Sequence, residues 1–126
     1  MTDHVELKLP FPGSINSLWR CVRGRNILSK AGREYQVLAQ KYLMTQAPLP
    51  RFDSPVSVEI ALCPPSRRRM DIDNRIKPVL DALQKAGVLA DDSLVHRLVV
   101  TWDHNQKVAD AGGCICVVVS LAGAAA

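Results

Sequence analysis

The sequence predicts an α/β fold, a mixed sheet carrying two main helices, in a single domain spanning residues 1–126. Three observations predict it. Alternating or β-branched apolar runs recur near the start, in the middle and towards the end of the chain. Two stretches between them switch to apolar residues at three- and four-residue steps. Proline and glycine clusters mark the switches, which separates the elements.

The elements follow in order. His4 to Leu9 reads as a strand with Val5, Leu7 and Leu9 on one face. Pro10 to Ser17 is a loop, and Trp19 to Val22 a second strand. Arg20, Arg23 and Arg25, with Gly24 between the last two, form a basic segment. That segment is either a solvated hairpin or a phosphate contact. Ile27-Leu28 is a short strand, and Ser29 can cap a helix from about Lys30 to Gln46. Tyr35, Leu38, Ala39 and Tyr42 form its expected inner face. Pro48 to Pro55 is a connecting loop, followed by a strand over Val56–Leu62 that Pro64-Pro65-Ser66 ends. A second helix is expected over about Asn74–Ala86, with Ile76, Val79, Leu80 and Leu83 inward and Gly87 at its end. Pro78 is awkward if Asn74 is already helical, so the helix starts later or its first turn is distorted. Leu94 to Trp102 is a long strand, Asp110 to Gly113 a turn, and Cys114 to Leu121 a last strand, apolar on both faces and therefore central or at an interface. Ala122 to Ala126 reads as a frayed tail.

Composition excludes several classes. Forty-eight per cent hydrophobic residues is ordinary for a globular chain, and 16 Lys and Arg against 12 Asp and Glu leave a net charge of +4. There is no signal peptide and no apolar run of bilayer length, so a soluble cytoplasmic protein is expected. Cys21, Cys63, Cys114 and Cys116 contain only a C-x-C close pair, which suits reduced thiols better than a zinc site or a disulfide framework. His96 and His104 lie on a strand pattern with nothing nearby to orient them, and read as ordinary surface or half-buried residues.

One segment is not explained by folding. Arg67-Arg68-Arg69-Met70-Asp71-Ile72-Asp73-Asn74-Arg75-Ile76-Lys77 places three arginines before two carboxylates two residues apart, with an amide and a lysine behind them. Charged side chains are rarely buried unless paired, so this is a poor core segment. It suits a site that holds a divalent cation through carboxylate oxygens and phosphates through guanidinium groups. Lys77 can meet charge developing on a phosphate. If Asp71-Ile72-Asp73 is extended, both carboxylates share one face and Asp73 stands near a helix N-cap. A calcium-binding EF-hand loop starting at Asp71 is excluded, because Ile76 and Ala82 occupy the places of its glycine and final glutamate. The bland reading pairs Asp71 with an arginine and makes Asp73 a simple cap.

Phosphodiester hydrolysis at neutral pH needs an activated water and a stabilised leaving alkoxide. One or two Mg²⁺ ions supply both, about 3.5–4 Å apart when paired. Two carboxylates make a thin site, and the third is expected from Asp91-Asp92, folded back by the intervening helix. Spacing alone does not separate those two. Asp81, one turn after Lys77, is explained as a structural i, i+4 partner.

The run from Arg67 through Lys77 and on to Leu83, with Lys85-Ala86-Gly87 and Asp91-Asp92 after it, resembles the RusA family of Holliday-junction resolvases. The likeness covers most of the chain and begins at Pro12-Gly13-Ser14-Ile15-Asn16 with Trp19-Arg20, although Gly13 stands where a second proline is expected. The resemblance implies a RusA-like fold and a Mg²⁺-dependent endodeoxyribonuclease that resolves four-way junctions by paired incisions in recombination and repair. It implies Asp71, Asp73 and Asp92 as metal ligands and Lys77 as a catalytic residue. Arg67, Arg68, Arg69, Asn74, Arg75, Arg20 and Arg23 are the candidate DNA contacts. A four-way junction has two-fold symmetry and needs two matched cuts, so a homodimer is expected. No small-molecule cofactor is expected. Two rivals remain: the same chemistry on another branched or RNA substrate, and a catalytically silent junction-binding module.

Overall fold

In the computed structural model, residues 4–13, 19–67, 69–106, 108–109 and 112–121 are described, without the side chains of Trp19, Arg20 and Asn26. Among the described residues, six strands and two α-helices follow one another: β1 (His4–Pro10), β2 (Trp19–Val22), β3 (Arg25–Leu28), α1 (Lys30–Met44), β4 (Val56–Cys63), α2 (Ile76–Lys85), β5 (Val95–Trp102) and β6 (Gly113–Ser120). The fold is the expected mixed α/β arrangement. Arg68, Ser14 to Ser17, Asp110 and the Ala122–Ala126 tail, each part of an expectation above, lie outside the described residues.

β1, β6, β4 and β5 form one sheet in that order. β6 runs antiparallel to both neighbours, and β4 and β5 run parallel. The apolar last strand is therefore internal. Its even-numbered side chains Cys114, Cys116 and Val118 are buried with Leu7, Leu9, Val58, Ile60 and Leu62 in the core. The opposite face of the sheet carries Glu6, Lys8, Glu59 and Thr101 around Ile115 and Val117.

β2 and β3 form a separate hairpin. Its two-residue turn has both central residues at positive φ, Arg23 at 52° and Gly24 at 77°. That geometry matches the right-handed twist of paired strands. Cys21 is exposed on this hairpin, whereas the other three thiols are buried.

Ser29 caps α1 as expected, its hydroxyl accepting from the Gly32 amide at 3.1 Å. The buried face of α1 is Gly32, Tyr35, Gln36, Ala39 and Leu43. Leu38 is 45% exposed, and Tyr42 is half-buried, so the expected stripe is corrected by about one position. Polar bonds rotate the helix this way. Gln36 donates to the Pro78 carbonyl (3.1 Å) and Gln40 to that of Ala82 (3.1 Å), so both amides lie against α2. Tyr35 donates to the Pro10 carbonyl at 2.9 Å and ties α1 to the end of β1.

The β4–α2–β5 unit positions the candidate site. Because β4 and β5 are parallel, α2 must run back between them, from the C-terminal end of β4 to the N-terminal end of β5. Val79, Ala82 and Leu83 bury its inner face completely. Gly87, at φ 83°, closes α2 as expected. The Gly87 amide donates to Gln84 and the Val88 amide to Leu83, the paired bonds of a Schellman motif. No helix among the described residues is long and apolar enough to cross a membrane.

Candidate active site

Beyond β4 the chain leaves the sheet at Pro64-Pro65, which offer no amide to a neighbouring strand. Gly112 lets this exit pass close by. A Cβ there would stand 2.8 Å from the Cys63 carbonyl oxygen and from the Pro65 nitrogen. Arg67 and Arg69 follow with exposed side chains.

Asp71 and Asp73 are both exposed, and neither carboxylate has a hydrogen-bond or ion-pair partner among the described residues. Their backbone is not the extended segment that sequence suggested. Ile72 is helical (φ −77°, ψ −37°), and Asp73–Arg75 form a 3-10 turn in which the Arg75 amide donates to the Ile72 carbonyl at 3.2 Å. Pro78 supplies the physical reason. It has no amide to donate to the Asn74 carbonyl, so the α-helical ladder cannot reach back that far. A tighter turn fills the gap and α2 begins at Ile76, where the Pro78 nitrogen falls among positions without an intrahelical acceptor. Asp73 is consequently not an N-cap. It lies in the first residue of the 3-10 turn, without a side-chain capping bond there.

Lys77 stands one turn beyond Asp73 on the solvent side of α2. Its Nζ lies 3.3 Å from Asp81 Oδ1, the i, i+4 pair expected. With Lys77 46% and Asp81 27% exposed, the pair contributes less than about 1 kcal/mol, and its effect is to orient the ammonium.

Asp91 and Asp92 lie past the other end of α2. Asp91 Oδ2 accepts from the Ser93 hydroxyl at 2.7 Å, and this bond, with a smaller one involving Asp92, holds the Asp91 carboxyl below its ordinary pKa. The Asp92 amide donates to Gln84 Oε1 at 3.2 Å, which fixes this residue beside the C-terminal turn of α2. The ten residues of α2, about 15 Å of helix, lie between the Gln84 end and the Asp71–Asp73 end. Among the described residues no three His, Cys, Asp or Glu side chains are close enough to hold one metal ion. The expectation that α2 folds Asp92 back onto Asp71 and Asp73 is therefore not met within one chain: the helix is a spacer between them. In donor type the exposed carboxylates fit a hard divalent cation.

The candidate DNA contacts divide. Arg67 and Arg69 are exposed at the exit of β4, Arg23 is exposed in the hairpin turn, and Asn74 is half-buried in the 3-10 turn. The side chains of Arg20 and Arg68 lie outside the described residues. Arg75 is engaged inside the protein. Its Nη1 donates to the Pro12 carbonyl at 3.0 Å, and its Cζ lies 5.4 Å from the centre of the Phe11 ring. It fastens the loop after β1 to the 3-10 turn.

An aromatic group joins the site that the sequence pattern does not announce. Phe11, Trp102 and His104 stack in series, with ring centroids 6.3 Å and 6.4 Å apart and planes inclined by 25° and 21°. Trp102 ends β5 beside the end of β4, so the stack rises next to the arginine loop. Only the parallel pairing of β4 with β5 reveals this, and residues so far apart in the chain carry no local signal of it.

A family model described as endodeoxyribonuclease RusA matches residues 10–117. The RusA crossover junction endodeoxyribonuclease of Escherichia coli (strain K12) is 36% identical over 89 residues, which is 71% of this chain and 74% of that protein. The same identity and coverage relate the chain to the proteins of that name from Shigella sonnei (strain Ss046) and Enterobacteria phage 82. Asp71, Asp73, Lys77 and Asp92 all fall inside the matched family region, and the chain belongs to the RusA endodeoxyribonuclease family.

Proposed function

We propose that this chain is a single-domain, cytoplasmic, Mg²⁺-dependent endonuclease that cuts four-way DNA junctions during recombination and repair. The observation that carries this reading is a pair of exposed carboxylates, Asp71 and Asp73, left without protein partners among the described residues in a member of this family. Asp71 and Asp73 hold the cation from one end of α2. Asp92, beside the other end of that helix, completes the ligand set from a second copy of the chain. A homodimer then has two composite sites, each built from the Asp71–Asp73 end of one protomer and the Asp92 end of the other. This matches the two cuts that a two-fold-symmetric junction requires.

The bound cation would activate water and stabilise the leaving oxygen. The remaining roles belong to the chain. Lys77, oriented by Asp81, presents an ammonium to the reacting phosphate. Arg67 and Arg69 grip flanking phosphates, with Arg68 between them in sequence. Arg75 acts indirectly, by holding the Phe11–Pro12 loop against the 3-10 turn.

The direct experiment incubates a labelled synthetic four-way junction and a linear duplex of the same sequences with the protein, with and without Mg²⁺. Paired incisions in the junction alone, only with the metal, are the expected result. Tight junction binding without incision would establish the silent module instead. Preferential cutting of flaps or RNA would move the substrate.

A further inference from the structure

We propose that the cleft beside the arginine loop is a stacking site for an unpaired nucleobase next to the scissile phosphate. The cleft has a volume of about 260 Å³ and is lined by Pro64, Arg67, Arg69, Met70, Trp102 and His104. The inference rests on the nucleic-acid reading above and adds a base-binding component to it.

Phosphate binding alone does not account for this cleft. Phosphates require only its rim, where the Arg67 and Arg69 side chains are exposed and have no protein partner among the described residues. Its aromatic lining is half-buried Trp102 and exposed His104, with centroids 6.4 Å apart and planes inclined by 21°. Pro64 and half-buried Met70 add apolar surface. Flat apolar faces beside guanidinium groups are the means by which proteins bind unpaired bases, since every base offers a π-face while its phosphate meets the cation. A base paired and stacked inside a duplex has no free face to offer. Asp103, the carboxylate between the two rings in sequence, is turned to another purpose: it accepts from the amides of Asn105 (2.9 Å) and Gln106 (3.3 Å) and so shapes the turn that carries His104.

Position gives the cleft its meaning. Met70 lines it and is bonded directly to Asp71, so a base held here belongs to a nucleotide adjoining the phosphate presented to Asp71. Cleavage would then favour DNA whose bases are already unstacked, as at a branch point.

The test measures binding of the full chain, without metal, to a short oligothymidylate and to a blunt duplex with the same number of phosphates. Trp102→Leu removes the ring but keeps apolar contact with the core, Trp102→Phe keeps a ring, and His104→Ala changes an exposed residue. Trp102→Leu should weaken oligothymidylate binding by about 5- to 100-fold, with duplex binding within about twofold of wild type. His104→Ala should weaken it in the same direction, and Trp102→Phe should restore most of the affinity. Equal loss on both ligands, or no loss on either, in the folded His104→Ala and Trp102→Leu proteins would overturn the stacking site. Junction cleavage by the wild type is scored separately. Failure to cut, with the selective loss intact, would remove the proposed nuclease function and leave the base site standing.

Discussion

The two ends of α2 carry the same residue type in opposite settings. At its start, Asp71 and Asp73 stand in an irregular 3-10 turn, exposed and without partners among the described residues. At its end, a Schellman motif fixes the chain, Ser93 occupies the Asp91 carboxylate, and Gln84 anchors the Asp92 amide. Between them lie about 15 Å of helix whose inner face is buried completely at Val79, Ala82 and Leu83. A helix packed this firmly does not bend to bring its ends together. Under the proposed composite site, the difference makes the acidic residues two half-sites whose separation α2 sets.

Breaking the first half-site has the largest expected effect. Asp73→Asn keeps the shape of the side chain but removes one charge from the proposed cation ligands. Junction cleavage should fall by orders of magnitude while junction binding is retained or slightly strengthened without metal, because a carboxylate repels phosphate. Melting temperature should barely change, since Asp73 makes no capping bond. Near wild-type cutting would reduce Asp73 to a surface residue.

Breaking the spacer comes next. Leu83 is fully buried, and its carbonyl also accepts the closing bonds from the Val88 and Leu89 amides. Leu83→Ala should destabilise the fold by about 2–5 kcal/mol, measured by denaturant unfolding. A smaller loss would mean that α2 is held less firmly than its burial indicates.

The arginine loop beside the first half-site is tested by salt. Changing Arg67, Arg68 and Arg69 together to Ala should flatten the plot of log affinity for junction DNA against log salt, by about 0.9 for each phosphate no longer neutralised. An unchanged slope would mean that these arginines do not reach phosphates.

The smallest effect sharpens the second half-site. Ser93→Ala removes the main bond that holds the Asp91 pKa down, so NMR titration should find the Asp91 carboxyl raised towards its ordinary value. A group with a depressed folded pKa stabilises the fold above its unfolded pKa and loses that contribution as pH falls through the folded one. The variant should therefore be slightly less stable than wild type at neutral pH, and the difference should vanish in acid. An Asp91 titration left unmoved by the substitution would mean that Ser93 does not hold this carboxylate.

Much of the fold was legible in the sequence because burial dictates it. Period-two patterns located β1 and β4, Ser29 marked the start of α1, and Gly87 marked the end of α2. The inner face of α1 was misjudged at Leu38 because Gln36 and Gln40 find their partners 42 residues away on α2. The polar segment marks a candidate site by its residue types, while its backbone geometry stays hidden: an extended Asp71-Ile72-Asp73 is expected where Pro78 instead leads to a 3-10 turn. The place of Asp92 was hidden for a different reason. Its sequence distance from Asp73 says nothing of direction, and only the parallel pairing of β4 with β5 shows that the helix carries the chain away from the first half-site.

The composite site is tested most directly by mixing two inactive chains. Asp73→Asn and Asp92→Asn proteins are co-refolded at equal concentration and assayed for nicking of a labelled four-way junction with Mg²⁺. If each site takes Asp71 and Asp73 from one chain and Asp92 from the other, every heterodimer contains one fully intact site. Random mixing should then restore about a quarter of the wild-type sites, seen as single-strand nicks. If each chain builds its own site, every site in the mixture carries one lesion. A mixture as inactive as either variant alone, with heterodimer formation verified by differential tags, would contradict the account.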